Sequence, residues 1–172
     1  RQRKRCIRDR ISGTERLFRE ALGRLVYGVE DDEVEDAALA ALLTSAASLA
    51  CVEAGTAGRV VSLMAQAASR RGQPQPAFRG GLVVPELSAE PAALAAAVDA
   101  ADRQGAAIGL AVGPVRPAGQ RQAVDLAIAR SGEPQIVEHL LGGGEIALAR
   151  AAKTALDTVR LLLTDARLEV PR

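Results

Sequence analysis

The sequence predicts an α/β fold: a three-layer sandwich in which helices flank a mixed β-sheet, with a helical arm at the N-terminus. Two observations carry this prediction. Short apolar runs alternate with amphipathic or alanine-rich helical segments, as they do in βαβ units. Two such runs near the C-terminus are separated only by Ser131-Gly132-Glu133-Pro134, a turn sequence that predicts an antiparallel hairpin. Parallel crossovers followed by a hairpin give a sheet of mixed direction.

The first regular segment is predicted to be an amphipathic helix over residues 14–26, because its leucines recur on one face. An acidic run then leads into a second helix over 34–43, where negative charge favours the N-terminal turn. We expect these helices to form an arm, or the remnant of a preceding domain, over residues 1–45. The α/β domain is expected over 46–172.

The α/β domain is predicted from its apolar runs and helical periodicity. The predicted strands are Leu49–Glu53, Gly80–Val84, Ala106–Val112, Ala123–Ala129 and Gln135–Leu141. The predicted helices are 58–69, Pro91–Arg103 and 145–164. Residues 113–117, which contain two prolines, are predicted to form a turn.

The composition excludes several kinds of functional site. The 172 residues include one histidine, two cysteines, two lysines and three aromatic residues. A zinc centre built from several His and Cys ligands lacks the residues it needs. A serine triad would depend on His139 alone, and a platform of stacked aromatic rings for single-stranded nucleic acid is excluded. We expect no metal and no cofactor.

The net charge of +1 argues against a general role at nucleic acid or at a membrane surface. Basic residues over 1–10 could contact phosphates, although a solvated terminus is the favoured interpretation. No apolar stretch reaches the roughly 18 residues of a transmembrane span. Because two distant cysteines make no disulfide framework, we expect a soluble protein of the reducing cytoplasm. The basic start without methionine also indicates a portion of a longer protein.

The turn after the first predicted strand is the best candidate for a binding site on layout alone. In a strand–turn–helix arrangement, the free N–H groups at the start of the helix can bind an anion, and small residues let a ligand approach. Gly55-Thr56-Ala57-Gly58 has that character, but structural turns use small residues as well. The segment is neither a P-loop nor a dinucleotide fingerprint. Glu53 before it could be an acid–base group or a carboxylate that caps the backbone, and capping is the favoured role.

Three further features carry weaker signals. Arg116 lies near Gly113 in the predicted turn and could contact a phosphate, although exposed arginines are common. The run 142–144 contains three glycines, which could lie against a ligand or simply join a strand to a helix. His139 alternates with apolar residues along a strand, which favours a surface or interface position over a catalytic one.

The segment Glu53-Ala54-Gly55-Thr56-Ala57-Gly58 resembles a motif of the CinA C-terminal domain family, the competence/damage-inducible proteins, also known as nicotinamide-nucleotide amidases. The family's Ala-Glu-Ser-x-Thr-Gly-Gly is kept at Glu53, Thr56 and Gly58. Residues 78–84 are similar to the family's Phe-x-Gly-Gly-Val-Val strand, and 105–112 to its Gly-Ala-Asp-Ile-Gly-Leu-Ala-Val strand. The resemblance covers residues 25–163, with further matches over 25–28, 123–129 and 145–157.

The same resemblance implies that this chain has lost the catalytic groups. Family enzymes hydrolyse the carboxamide of nicotinamide mononucleotide with a serine that a lysine activates. Ala54 stands at the serine position, and neither Lys4 nor Lys153 falls where the lysine segment should be. After Val84 the chain reaches its next helix early, and the family's Gly-Asp-Arg has become three glycines at 142–144.

The resemblance therefore implies a degenerate, catalytically inactive domain that acts in ligand binding or subunit assembly. The expected ligand is a nicotinamide nucleotide or another small phosphorylated molecule, and the expected partner is a second copy, since family members self-associate. Neither nucleic acid nor a membrane is expected as a partner. The residues expected to contact the ligand are Glu53, Gly55, Thr56, Ala57, Gly58, Gly113 and Arg116.

The alternative function is that of a divergent amidohydrolase that acts on nicotinamide mononucleotide or a related small amide. It would work through Glu53 and Thr56, or use Ser88 as a substitute nucleophile. This alternative requires a water-accessible pocket in which Glu53 lies within hydrogen-bond reach of Thr56.

Overall fold

The computed structural model describes residues 2–28, 31–72, 77–87, 92–130, 133–144 and 146–164. Its contacts divide the chain into two compact units, Arg1–Glu33 and Val34–Arg172. The second unit includes a helix that we expected in the N-terminal arm. Leu39 and Leu42 of that helix are fully buried in the core of the second unit, which explains why it folds there.

The N-terminal unit comprises the helix α1 (Gln2–Leu22) and a 3-10 turn (Gly23–Leu25). The predicted helix over 14–26 began too late, because α1 continues through Gly13 to the basic start of the chain. A glycine inside a helix costs only about 1 kcal/mol relative to alanine, so it does not break the helix. Glu15 and Arg19, one turn apart on the exposed face, form an ion pair at 2.8 Å that stabilises the helix.

The α/β unit contains every strand and helix that the sequence predicted for it. Its helices are α2 (Val34–Thr44), α3 (Arg59–Arg71), α4 (Ala92–Gln104) and α5 (Ala147–Thr164). Its strands are β1 (Leu49–Glu53), β2 (Phe78–Val83), β3 (Ile108–Val112), β4 (Arg116–Ala118), β5 (Arg121–Arg130) and β6 (Glu133–Leu141). One prediction was wrong: the turn over 113–117 runs into the short strand β4. Pro117 is tolerated there because β4 is an edge strand, in which the N–H that proline lacks would have no further strand to bond to.

The six strands form one mixed sheet. β1 lies between β2 and β3 and is parallel to both, whereas β3 is antiparallel to β5. Both β4 and β6 pair antiparallel with β5, and the β5–β6 pair confirms the predicted hairpin. The carboxyl ends of the three parallel strands therefore meet at one edge of the sheet, the place where α/β folds commonly bind ligands.

Helices cover both faces of the sheet, which gives the predicted three layers. On one face α2, α3 and α5 bury large side chains such as Leu39, Met64 and Leu156. On the other face α4 packs through alanines against β1, β3 and β5. α4 lies so close to β3 that a Cβ at Gly109 would overlap the carbonyl of Ala97. The high alanine content of the chain thus serves close helix–sheet packing on this face.

Candidate functional site

The turn between β1 and α3 is held in a tightly curled backbone conformation. Gly55, Ala57 and Gly58 all have positive φ, at +75°, +55° and +78°. Ala57 is the unusual member, because the left-handed region costs a residue with a Cβ about 1–2 kcal/mol. A Cβ at Gly55 would lie 2.8 Å from the Cα of Pro114. The turn is therefore packed directly against the loop that follows β3, and glycine is required at that contact.

Glu53 is fully buried, and hydrogen bonds occupy both of its carboxylate oxygens. Oε2 accepts from the Thr56 hydroxyl and from Val60 N at 3.2 Å, and Oε1 accepts from Val61 N at 3.0 Å. The N-cap residue of α3, Gly58, has no side chain to satisfy these N–H groups. Glu53 does so from the neighbouring strand, and its negative charge suits the helix N-terminus. In this structure Glu53 caps the backbone of α3.

Thr56 and Ala54 are buried beside Glu53, with 0% and 1% of their surfaces exposed. Thr56 donates its only hydroxyl proton to Glu53, and its carbonyl oxygen accepts from Arg59 N at 3.2 Å. Ala54 donates its N–H to Val112 O at 2.9 Å and offers no nucleophilic atom. Glu53 and Thr56 are thus within hydrogen-bond reach of each other, but neither side chain is accessible to water.

Gly113 and Arg116 are positioned by β5 and its neighbour β6. Gly113 donates to Asp125 O at 2.9 Å. The Arg116 guanidinium is hydrogen-bonded to Glu138 and lies 3.1 Å from Asp125 Oδ1. The hydrogen bond to Glu138 raises the pKa of Arg116 above its ordinary value, and the hydrogen bond to Asp125 is the second cause of this shift. Both carboxylates approach the same nitrogen, Nη2, so a phosphate at this guanidinium would compete with two negative charges.

Cys51, two residues before Glu53, is buried in the core as its apolar surroundings suggest. Burial raises the pKa of the Cys51 thiol to about 12, and the nearby charge of Glu53 acts in the same direction. The reactive form of a cysteine is the thiolate. Cys51 is therefore protonated and inert at neutral pH.

His139 joins β6 to α5, and its ring Nε2 lies 3.1 Å from the hydroxyl of Thr158. Thr158 donates its one hydroxyl proton to Thr154 O at 2.8 Å, so the ring nitrogen must be the donor to Thr158. Burial lowers the pKa of His139, while Asp157 opposes that shift. These contacts give His139 a structural part between a strand and a helix.

Gly142, the first of the three glycines that follow β6, is packed against α5. The guanidinium of Arg150 fills the space that a Cβ at Gly142 would need. Gly142 therefore lets an arginine of α5 approach the backbone closely, a contact that the local sequence does not reveal.

Sequence reasoning missed two cavities on the surface of the α/β unit. One is a cleft of about 450 Å³ between β1, β2 and α4, with an apolar floor that includes Val52 and Leu82. The other is a groove of about 460 Å³ beside the start of α5, lined in part by Leu140 and Arg150. Each is assembled from elements that are far apart in the chain, so no local pattern marks it. Neither includes a residue of the turn over 53–58.

Two other kinds of feature are absent from the residues that the structure describes. These residues contain no group of three or more His, Cys, Asp and Glu side chains that could hold a metal ion. Within the same part of the chain, no helix combines the length and the apolar character needed to cross a membrane.

The mixed sheet, the three layers and the capped turn define this unit as an α/β domain with the CinA-like fold. A competence or damage-inducible protein from Enterobacter asburiae matches with a TM-score of 0.56 and 19% identity, over 78% of this chain and 100% of that chain. The competence damage-inducible protein A from Klebsiella pneumoniae matches with a TM-score of 0.55 and 20% identity, over 79% and 100% of the two chains. The competence/damage inducible protein CihA from Agrobacterium tumefaciens gives 0.54 and 16%, over 79% and 96%.

These similarities confirm the resemblance seen in the motifs, at the level of the fold. No family model matches the chain, and no curated protein matches it in sequence. The chain thus has the same fold with a divergent sequence. At identities of 16–20%, its activity has to be argued from its own residues.

Proposed function

We propose that this chain is a degenerate CinA-like domain without amidase activity, which acts in subunit assembly or ligand binding. The observation that supports the proposal is the burial of Glu53 at the turn between β1 and α3. Glu53 is fully buried, and both of its carboxylate oxygens are occupied by the turn and by the start of α3. A catalytic acid or base must reach substrate or water, and this carboxylate reaches neither.

The absence of a nucleophile supports the same conclusion. The resemblance places the family's serine at residue 54, where this chain has alanine. Removing a nucleophile typically leaves only ~10³–10⁴-fold acceleration over the uncatalysed reaction, a loss of several orders of magnitude. The activating lysine has no counterpart in the sequence either, since neither Lys4 nor Lys153 falls in the segment where the resemblance places it. Lys153 Nζ lies 4.0 Å from Glu35 on α2.

Of the two proposed roles, ligand binding is the one that the contacts of the candidate residues oppose. An anion bound at the start of α3 would use the N–H groups of Val60 and Val61, and both already donate to Glu53. Arg116 is held by two carboxylates. A nicotinamide nucleotide or another phosphorylated ligand would have to break the contacts at the start of α3 and compete with two carboxylates at Arg116. The partner that we propose is a second copy of the chain, within the cytoplasm.

Titration with nicotinamide mononucleotide, followed by thermal shift and calorimetry, tests the choice between the two roles. A ligand at about 100 times its Kd stabilises a protein by about 2.7 kcal/mol, so even weak binding would raise Tm visibly. We expect no rise. A rise that Arg116→Ala abolishes would assign the domain to ligand binding instead. Arg19→Ala is the matched control, because the two arginines have 44% and 45% of their side chains exposed and each pairs with a carboxylate.

One observation favours the alternative, a divergent amidohydrolase. The Thr56 hydroxyl donates to the Glu53 carboxylate, which is the contact that a base makes with a nucleophile. This alternative predicts that ammonia is released from nicotinamide mononucleotide and that Thr56→Val abolishes the release. Ser88, the other candidate nucleophile, lies outside the described residues, and Ser88→Ala separates its contribution from that of Thr56.

A further inference from the structure

We propose that the groove beside the start of α5 is a binding site for a small amphipathic carboxylate, that is, an apolar molecule with a carboxylate at one end. The inference goes beyond the proposed function, because the groove shares no residue with the turn over 53–58. It assigns a ligand class to a part of the domain that the amidase-like motif does not include. Its truth therefore does not depend on whether the chain has amidase activity.

The groove lies at the carboxyl end of β6. β6 is antiparallel to β5, and β5 is antiparallel to β3, so β6 runs in the same direction as the three parallel strands. The end of β6 at Leu141 therefore lies at the same edge of the sheet as their carboxyl ends, where α/β folds commonly bind ligands. With a volume of about 460 Å³, the groove is within the size range of small-molecule sites.

Arg150 provides the anchor for a negative charge. Its side chain is exposed, and its guanidinium lies against the backbone of Gly142, in the space that a Cβ at that position would need. Within the described residues this guanidinium forms no hydrogen bond and no ion pair, whereas Arg103 and Arg116 at the surface of the same unit pair with carboxylates. The N–H donors of Arg150 are thus available, and a guanidinium can bind a carboxylate through two parallel hydrogen bonds.

The charged side chains that line the groove are basic. Lys153 and Thr154 follow Arg150 by three and four residues, which brings the three side chains to one face of α5. Lys153 also lies 4.0 Å from the buried carboxylate of Glu35, which offsets part of its charge, so Arg150 is the principal group for binding an anion. In the part of the chain that the structure describes, no acidic side chain lines the groove. The groove therefore attracts a carboxylate and repels an amine.

The groove also has large apolar side chains. Leu140 near the end of β6 and Ile146 just before α5 are 57% and 53% exposed, and both line the groove. Covering such side chains with an apolar molecule is favourable, because it removes apolar surface from water. An inorganic phosphate would leave both of them uncovered. The combination of an arginine and two apolar side chains therefore fits an anion that carries an apolar chain.

Octanoate is the probe that tests the ligand class. Octanol and octylamine keep its hydrocarbon chain but remove or reverse its charge, and acetate keeps the charge without the chain. In an NMR titration of the full chain, we expect octanoate to bind with a dissociation constant of about 0.1–1 mM, with amide shifts concentrated over 140–154. The other three compounds and inorganic phosphate should bind at least about tenfold more weakly. Equal affinity for octanoate and octylamine, or for octanoate and phosphate, would overturn the proposed ligand class.

Gly142→Ala tests the position of Arg150 without removing its charge. The new Cβ would occupy the place of the guanidinium, which would have to move, so the affinity for octanoate should fall about tenfold. Gly143→Ala is the matched control and should leave the affinity unchanged. The atom nearest to its Cβ would be Gln120 O at 3.6 Å, an ordinary contact. Equal affinities of the two variants would show that the placement of Arg150 against the backbone does not matter for binding, which would overturn the proposed anchor.

Arg150→Gln tests the anchor itself, with circular dichroism to verify that the variant folds. We expect it to bind octanoate no more tightly than octanol, whereas Arg103→Gln, at an exposed arginine of α4, should keep the preference of the wild type for octanoate. Absence of octanoate binding, or binding that Arg150→Gln leaves unchanged, would overturn the site without affecting the proposed loss of amidase activity. Ammonia release from nicotinamide mononucleotide would overturn the proposed function, but it would leave octanoate binding at the groove unaffected.

Discussion

Thr56 donates its hydroxyl proton to Glu53, and the same carboxylate accepts the N–H groups of Val60 and Val61. One buried side chain thus joins the end of β1 to both the turn and the start of α3. Charge-assisted hydrogen bonds of this kind are about twice as strong as neutral ones. Glu53 and Thr56, which most resemble an amidase site, therefore form a structural clamp, that is, a set of buried hydrogen bonds that joins the strand to the helix.

Glu53→Gln tests that clamp through stability. Glutamine keeps the size of the side chain, but its NH₂ group would face a donor that the carboxylate now satisfies. We expect the free energy of unfolding, measured by urea denaturation, to fall by about 1–3 kcal/mol. Asp102→Asn, at an exposed carboxylate of α4, is the control and should change stability by less than about 0.5 kcal/mol. Equal effects of the two substitutions would contradict the capping role.

Gly55→Ala tests the contact between the turn and the loop after β3. Gly72 has a similar φ, +57°, and nothing lies within 4 Å of the place where its Cβ would be. Gly72→Ala should therefore lower the free energy of unfolding by only about 1 kcal/mol, the cost of holding an alanine in the left-handed conformation. Gly55→Ala should cost about 1–3 kcal/mol more, since its Cβ would lie 2.8 Å from the Cα of Pro114. If urea denaturation gives both variants the same stability, the close contact does not exist in solution.

The kinetics of thiol–disulfide exchange test the environment of Cys51. In a Cys6→Ser background, the thiol of Cys51 is the only one left to react. Because burial raises its pKa to about 12, we expect its native reaction with Ellman's reagent to be at least about a thousandfold slower than in urea. Stoichiometric labelling of the native chain within seconds would show that the thiol is accessible.

The stability of the α/β unit should depend on pH through His139. Burial lowers the pKa of this imidazole below its ordinary value of 6.5, so the unfolded chain takes up a proton first as the pH falls. The contribution of His139 to the free energy of unfolding is therefore fully present above pH 6.5. It is lost as the pH falls below 6.5 towards the lowered pKa of the folded chain. In urea denaturation, the stability difference between the wild type and His139→Asn should shrink over that window. A difference that grows on acidification would mean that the pKa is raised.

The strands and the mixed sheet could be predicted from sequence because their signal is local. β1 has the predicted bounds Leu49–Glu53, since a compact apolar run begins after Ser48 and ends at the charged Glu53. The start of α1 could not be placed, because Gly13 weakens the periodicity of a helix without ending it. β4 was missed because its pairing with β5 depends on register and because Pro114 and Pro117 indicate a turn.

The candidate site could be located from sequence but its role could not. The motif residues Glu53 and Thr56 do come together, as their spacing suggests. Their burial, however, depends on how the turn packs against the loop containing Pro114, which no local pattern encodes. For the same reason, the partners of Arg116 follow from the pairing of β5 with β6 rather than from the sequence around the arginine.

Ammonia release from nicotinamide mononucleotide by the purified chain tests directly whether this CinA-like domain lacks amidase activity. We expect a rate equal to that of the buffer, for the wild type and for Thr56→Val and Glu53→Gln alike, because Ala54 supplies no nucleophile and Glu53 is inaccessible. Release that rises in proportion to the protein concentration and disappears in Thr56→Val would contradict it.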